Sequence, residues 1–258
     1  MIQLSPDRWA AALIVAVFVG LSKTGVPGVG ILTVPLIAYV FEGRLSVGML
    51  LPLLIAADCF AVAYYRKHAN WSRLKELIVP VLIGMAVAAL FLDFLGSHPN
   101  SKSLMNILIG VMTLLILGAH LLKAKLGSQF SLSSKGAIWG TGIAGGFTTT
   151  ASNAAGPIMS IYMTSLGLGK EGFMGTTACY YFLFNLLKFP LFLFLTYLHP
   201  ESPMIPKAAL PFTLLMFPFV ALGALTGRKL LAKLDQKTFE NLVLVLAAIA
   251  AIAMIVRH

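Results

Sequence analysis

Charge is scarce in this chain. Of 258 residues, 9 are Asp or Glu and 19 are Lys or Arg, so charged residues make up 11%, against about 25% in a soluble domain. So small a polar share excludes a soluble enzyme and a disordered segment. Cysteine is scarcer. Cys59 and Cys179 stand alone inside apolar stretches, spaced neither as a disulfide framework nor as a metal site. His68, His98, His120, His199 and His258 are scattered without ligand spacing. There is no P-loop, which argues against direct drive by ATP, and no nucleophile–base pair. The expectation is a protein with no metal, no cofactor and no enzymatic activity.

What the chain has is hydrocarbon. Hydrophobic residues make up 59% and the mean hydropathy is +0.90. This is the composition of a polytopic, all-α membrane protein embedded in a lipid bilayer, and its length allows at most about eight to ten spans. The apolar run Trp9–Gly20 is preceded only by Arg8 beside Asp7 and ends in no small-residue cleavage site, so it reads as mature protein. The net charge of +10 is explained by Lys and Arg gathering at the cytoplasmic ends of spans. No basic stripe interleaved with aromatics suggests nucleic acid.

The sequence repeats internally. At an offset of 126 residues Gly20 meets Gly146, Thr24 meets Thr150, Gly30 meets Gly156, Gly43 meets Gly169 and Pro80 meets Pro206. After a nine-residue slip, Lys102 meets Lys237 and Asn106 meets Asn241. Such self-similarity divides the chain into residues 1–122, a basic linker 123–135, and residues 136–258. Each half opens with two apolar runs of roughly 11 to 13 residues around a polar, Gly-rich break. A helix of that length rises about 18 Å and falls short of a hydrocarbon core about 30 Å thick, so each run is expected to be a half-helix. Three full-length apolar segments follow in each half, near 46–65, 77–96 and 104–122, and near 172–196, 207–227 and 239–256.

Loop charge decides between a broken span and a re-entrant hairpin. Arg66, Lys67, Arg73 and Lys75 lie in one loop, Lys123, Lys125 and Lys135 in the linker, and Arg228, Lys229, Lys233 and Lys237 in a third. All three fall on the cytoplasmic side only if each broken segment is re-entrant and the halves are inverted. Inverted repeats with interrupted helices characterise secondary transporters.

A helix broken within the bilayer leaves backbone groups that only protein or a wet cavity can satisfy. Gly25, Gly28, Gly30, Gly145, Gly146 and Gly156 permit the turns, and Pro27 and Pro157 suit restarting helices. Restarting helices present N–H groups and partial positive charge, which attract anions. Ser22, Lys23 and Thr24 occupy the first break, and Thr148, Thr149, Thr150, Ser152 and Asn153 the second. Their hydroxyls, amide and ammonium could donate to an oxyanion, although a hydroxyl there can also serve only its own backbone. Asp58, Asn185 and Lys188 lie deep in apolar runs, where charge is costly and usually functional. Asp58 is a candidate proton-coupling carboxylate or a partner of Lys23 or Lys188. Lys188 could instead snorkel to an interface. Cys59 and Cys179 could contact a sulfur substrate or simply fill space.

GLSKTGVPGVGILTVPLI and GGFTTTASNAAGPIMSIYM resemble the paired motifs of the TauE/SafE family, also called TSUP or sulfite exporters, over essentially the whole chain. The resemblance implies transport of small sulfur anions, sulfite or organosulfonates such as sulfoacetate, across a bacterial inner membrane. It carries the substrate region onto Lys23–Gly30 and Thr148–Gly156. The expected function is therefore a secondary exporter of a small anionic substrate working by alternating access, with protons as candidate coupling ions. A passive anion channel and a membrane-embedded cofactor-assembly protein are the alternatives. Nothing in the sequence speaks to oligomeric state.

Overall fold

The computed structural model describes residues 4–25, 29–98, 100, 103–105, 107–111, 114–115, 118, 134–230 and 252. Its elements are α1 (Pro6–Thr24), α2 (Gly30–Phe41), α3 (Gly43–Tyr65), a 3-10 turn (Arg66–His68), α4 (Trp71–Gly96), α5 (Lys135–Ser152), α6 (Gly156–Ser165), α7 (Lys170–Leu198) and α8 (Ala209–Leu230). Among the described residues every element is helical, and four stretches are long and apolar enough to cross a membrane: Gly43–His68, Trp71–Gly96, Glu171–Leu198 and Ala209–Gly227. The apolar segment expected at 239–256 falls almost wholly outside the described residues, and that at 104–122 in large part. The Lys102/Lys237 and Asn106/Asn241 matches also lie outside them.

Local chemistry sets the helix ends. Pro6 opens α1 after extended Ser5, its fixed φ already helical. The Asn70 side chain accepts from Arg73 N at the start of α4, and Ser134 Oγ accepts from Ala137 N at the start of α5, which satisfies donors a helix start leaves free. Between α2 and α3 the chain reverses at Glu42 and Gly43, both at positive φ. The Glu42 carboxylate is tied to Arg8 Nη2 at 3.1 Å, and Tyr39 donates to Asp7 at 2.5 Å. The start of α1 and the end of α2 therefore lie together, and the two helices form a hairpin.

The first arms of the two hairpins are longer than the expected half-helices. α1 has 19 residues and α5 has 18, about 28 and 27 Å at a rise of about 1.5 Å per residue, while α2 has 12 and α6 has 10. The polar residues do not end the first arms because their hydroxyls bond back to the same helix. Ser22 donates to Val19 O, Thr24 to Gly20 O, Thr148 to Ala144 O and Ser152 to Thr148 O.

Two helix pairs close on glycine. A Cβ on Gly20 would run into the Val220 carbonyl, and one on Gly223 into that of Val17, so α1 and α8 touch backbone to backbone. A Cβ on Gly146 would meet the Val81 carbonyl, and one on Gly84 that of Ile143, so α4 and α5 do the same. The two sets correspond residue for residue. Gly146 and Ile143 lie 126 residues after Gly20 and Val17, and Gly223 and Val220 lie 139 after Gly84 and Val81. The match of Pro80 with Pro206 is thereby corrected. Pro80 is inside α4, whereas Pro206 lies in the connector before α8, because that connector adds residues which shift the register.

α3 and α7 pack against each other at the centre and run antiparallel. Gly48, near the start of α3, abuts Met204 beyond the end of α7, and Gly175, near the start of α7, abuts Tyr65 and the turn beyond α3. The end of α3 and the starts of α4 and α7 thus share one end of the bundle. The parallel pairings bring the start of α5 and the end of α8 to that same end. Arg8, Glu42, Arg44 and Glu201 mark the other. Leu90, Phe94, Leu210 and Leu214 on α4 and α8 are exposed and form the apolar exterior a bilayer requires.

Candidate functional site

α3 and α7 cross at Asp58 and Asn185, which lie 127 residues apart. Asn185 Nδ2 donates to Asp58 Oδ2 at 2.5 Å. The other carboxylate oxygen, Oδ1, receives Lys23 Nζ at 2.8 Å, with the Asp58 side chain fully buried and that of Lys23 11% exposed. The ammonium of Lys23 also sits 3.8 Å from the centre of the Tyr181 ring, a cation–π contact that strengthens when water is excluded. Asp58 therefore pairs with Lys23.

Lys188 is fully buried and does not snorkel. Its Nζ reaches three acceptors: Thr149 O at 2.9 Å, Thr149 Oγ1 at 3.1 Å and Asn153 Oδ1 at 2.7 Å. Three acceptors match the three donors of an ammonium. Among the described residues Lys188 forms no ion pair. Asn153 ends α5 in the left-handed region at φ 57° and donates from Nδ2 to Val47 O at 2.8 Å, which fixes its oxygen toward Lys188. Lys188 also neutralises the partial negative charge at the C-terminus of α5, as Lys23 does for α1.

These groups border a cavity of about 80 Å³, room for several waters or one small oxyanion. Ser22, Lys23, Thr149, Asn153 and Asn185 line it, together with Gly30 and Gly156 at the starts of α2 and α6. Lys188 stands behind Thr149 and Asn153. The hydroxyls of Thr177 and Tyr181, also in the lining, are buried with no partner among the described residues. Around the cavity stand two helix starts, Lys23 in the lining, Lys188 and Asp58 one contact behind it, and two hydroxyls without a partner among the described residues. That set can bind and desolvate a small anion.

Of the residues singled out from the sequence, Lys23, Asp58, Thr149, Asn153, Asn185 and Lys188 come together here. Others lie away from the cavity. Thr24 is buried against α8 and donates to Ala224 O. Gly25 caps α1. Thr150 and Ser152 are buried on α5. Cys59 is exposed on the outer face of α3, and Cys179 packs in a separate core with Met159, Tyr162 and Tyr180. Gly28 is outside the described residues. Sequence reading passed over Tyr181 and Thr177. Their signal was present: Thr177, Tyr181, Asn185 and Lys188 fall at i, i+4, i+8 and i+11, a polar stripe along one face of α7.

A family model, that of the sulfite exporter TauE/SafE, matches residues 12–254. No curated protein and no solved structure matches the chain.

Proposed function

Because the chain belongs to the sulfite exporter TauE/SafE family, a family of membrane transporters, we propose that it is a secondary exporter of a small sulfur oxyanion, sulfite first or an organosulfonate such as sulfoacetate, in a bacterial inner membrane. The observation that carries this reading is the convergence of Lys23 in the lining, and of Lys188 and Asp58 one contact behind it, on one cavity beside the starts of α2 and α6. Lys23, Thr149, Asn153 and the N–H groups at Gly30 and Gly156 would hold the anion, and the hydroxyls of Thr177 and Tyr181 would complete its shell. Buried cations with one counterion leave positive charge in a low-dielectric site, and an anion is the species that relieves it.

The halves are read as inverted repeats, with α1–α2 and α5–α6 as the re-entrant hairpins and the Asp58–Asn185 crossing at their centre. The antiparallel course of α3 and α7 supports this, as does the grouping of basic residues at one end. The glycine-closed pairs α1/α8 and α4/α5 would move as units against the central crossing. That is what alternating access asks of a repeat transporter.

Transport in proteoliposomes tests the proposal. Sulfite, sulfate, sulfoacetate and taurine are compared with and without a proton gradient. Sulfite or sulfoacetate is expected to accumulate against its own gradient when protons supply the drive, which separates a coupled transporter from a channel. Failure of every sulfur anion to move would sink it.

A further inference from the structure

The charges around the cavity come from three side chains, Lys23, Asp58 and Lys188. Lys23 and Asp58 share a contact of 2.8 Å. As an ion pair or as a neutral pair, they contribute zero together. Lys188 meets three acceptors, enough for the three donors of an ammonium, and no ion pair among the described residues; taken as an ammonium, it contributes one positive charge. Two helix starts, at Gly30 and Gly156, and the last turns of α1 and α5, through Lys23 and Thr149, line the cavity, and their opposite partial charges offset one another. Among the described residues Lys23 is the one charged side chain in the lining, with Asp58 and Lys188 each one contact behind it. With Lys188 as an ammonium the site sums to one positive charge, and a monoanion brings it to neutrality. A dianion would leave one negative charge uncompensated in a water-poor interior, where a lone charge is strongly disfavoured.

We propose that this site selects singly charged oxyanions and that Asp58 is the residue that rejects doubly charged ones. By occupying Lys23, Asp58 removes the second positive charge that a dianion would need. Asn185 holds Asp58 in that role by donating to its free oxygen. This rests on the transport function proposed above and narrows it: among sulfur anions, hydrogen sulfite and simple monosulfonates fit, while sulfate and other dianions do not, and sulfoacetate, whose carboxylate adds a second charge, drops out of the candidate substrates.

Methanesulfonate and sulfate make the test clean. Both are tetrahedral at sulfur and similar in size, and near neutral pH they differ by one charge. Their binding is measured on the full-length protein in lipid nanodiscs. The wild type is expected to bind methanesulfonate at least about tenfold more tightly than sulfate, a modest share of what one uncompensated charge is worth in a partly dry site. Asp58→Asn, which keeps the shape and frees Lys23, is expected to shift that ratio toward sulfate by about tenfold or more. Lys188→Gln, which lowers the sum to zero, is expected to weaken methanesulfonate binding by at least about tenfold. Should Asp58→Asn fail to fold, the wild-type ratio and Lys188→Gln still decide. Equal wild-type affinities, a preference for sulfate, or an unchanged ratio in Asp58→Asn would overturn the inference. So would failure to bind methanesulfonate by protein that transports sulfite. Sulfite transport without charge preference would leave the transport function standing, whereas no transport of any sulfur anion would remove both.

Discussion

Asn153 is where α5 ends and where Lys188 is held, so one side chain serves both backbone and site. Its left-handed conformation is one that Asn tolerates and Ala does not. Its amide bridges Val47 O and Lys188 Nζ. Asn153→Ala should lower stability by about 2–4 kcal/mol, the sum of a lost charged hydrogen bond and the backbone strain. Asn153→Gly should lower it less, because glycine keeps the conformation and loses only the contacts. Thermal unfolding of both variants in detergent checks the order, and equal losses would show that the backbone conformation carries no strain. Lys23 gives a second prediction at this scale. Lys23→Ala leaves Asp58 charged or forces it to take a proton, and breaking a buried pair costs about 3–5 kcal/mol. The double variant Lys23→Met with Asp58→Asn should recover most of that stability and leaves the charge sum unchanged, yet should bind sulfite at least about tenfold more weakly, since the hydrogen bond that Lys23 would donate to the anion is gone. Full sulfite affinity in the double variant would remove Lys23 from the site. The charged members of the site were legible in the sequence because Lys23, Asp58 and Lys188 interrupt apolar runs. Their partners were not. Whether Asp58 meets Lys23 or Lys188 depends on which helix faces which, and neither residue's spacing encodes that. Tyr181 was passed over because an aromatic within an apolar helix has the look of a packing residue until its ring is found beneath an ammonium.

At the scale of the helix, the glycines of the paired contacts explain why α1 joins α8 and α4 joins α5. Membrane helices have no hydrophobic drive to associate, so close backbone approach at small residues supplies the attraction. Gly146→Ala and Gly223→Ala place a methyl group against a backbone carbonyl, which cannot rotate away as a side chain could. Each should destabilise by about 1–3 kcal/mol, the usual cost of overpacking. Gly140→Ala on the same helix as Gly146 meets nothing nearby and should be neutral or slightly stabilising through higher helix propensity. Detergent unfolding of the three variants compares them, and a Gly146→Ala protein as stable as Gly140→Ala would contradict the tight pairing. The repeat in the first helices was legible at one constant offset. The fourth helices of the two halves, α4 and α8, were misaligned through Pro80 and Pro206, since a single residue type cannot reveal where a connector has lengthened. Helix lengths were misjudged for a related reason. A polar residue lowers local hydropathy, but Ser22, Thr24, Thr148 and Ser152 meet their own helix carbonyls and let it run on.

For the whole molecule, the distribution of charge gives the orientation in the membrane. Arg66 and Lys67 in the turn after α3, Arg73 on the first turn of α4, and the start of α5 lie at one end of the bundle, while Glu42, Arg44 and Glu201 lie at the other. Basic residues are retained on the cytoplasmic side, so the first end should face the cytoplasm. Arg44 itself makes a poor reporter: it is buried and its Nη1 donates to Ser202 O at 3.2 Å. Lys67 and Glu201 are exposed and serve better. In a background with Cys59 and Cys179 replaced by Ala, Glu201→Cys should react with an impermeant thiol reagent in intact cells. Lys67→Cys should react only after the membrane is opened. The pair is discriminating because parallel halves and inverted halves differ in where the connector after α7 lies. The turn after α3 and the connector after α7 occupy corresponding places in the two halves, so parallel repeats would put both on one side of the membrane. Labelling of both from the same side would overturn the inverted arrangement, and with it the proposal that one central site opens alternately to the two compartments.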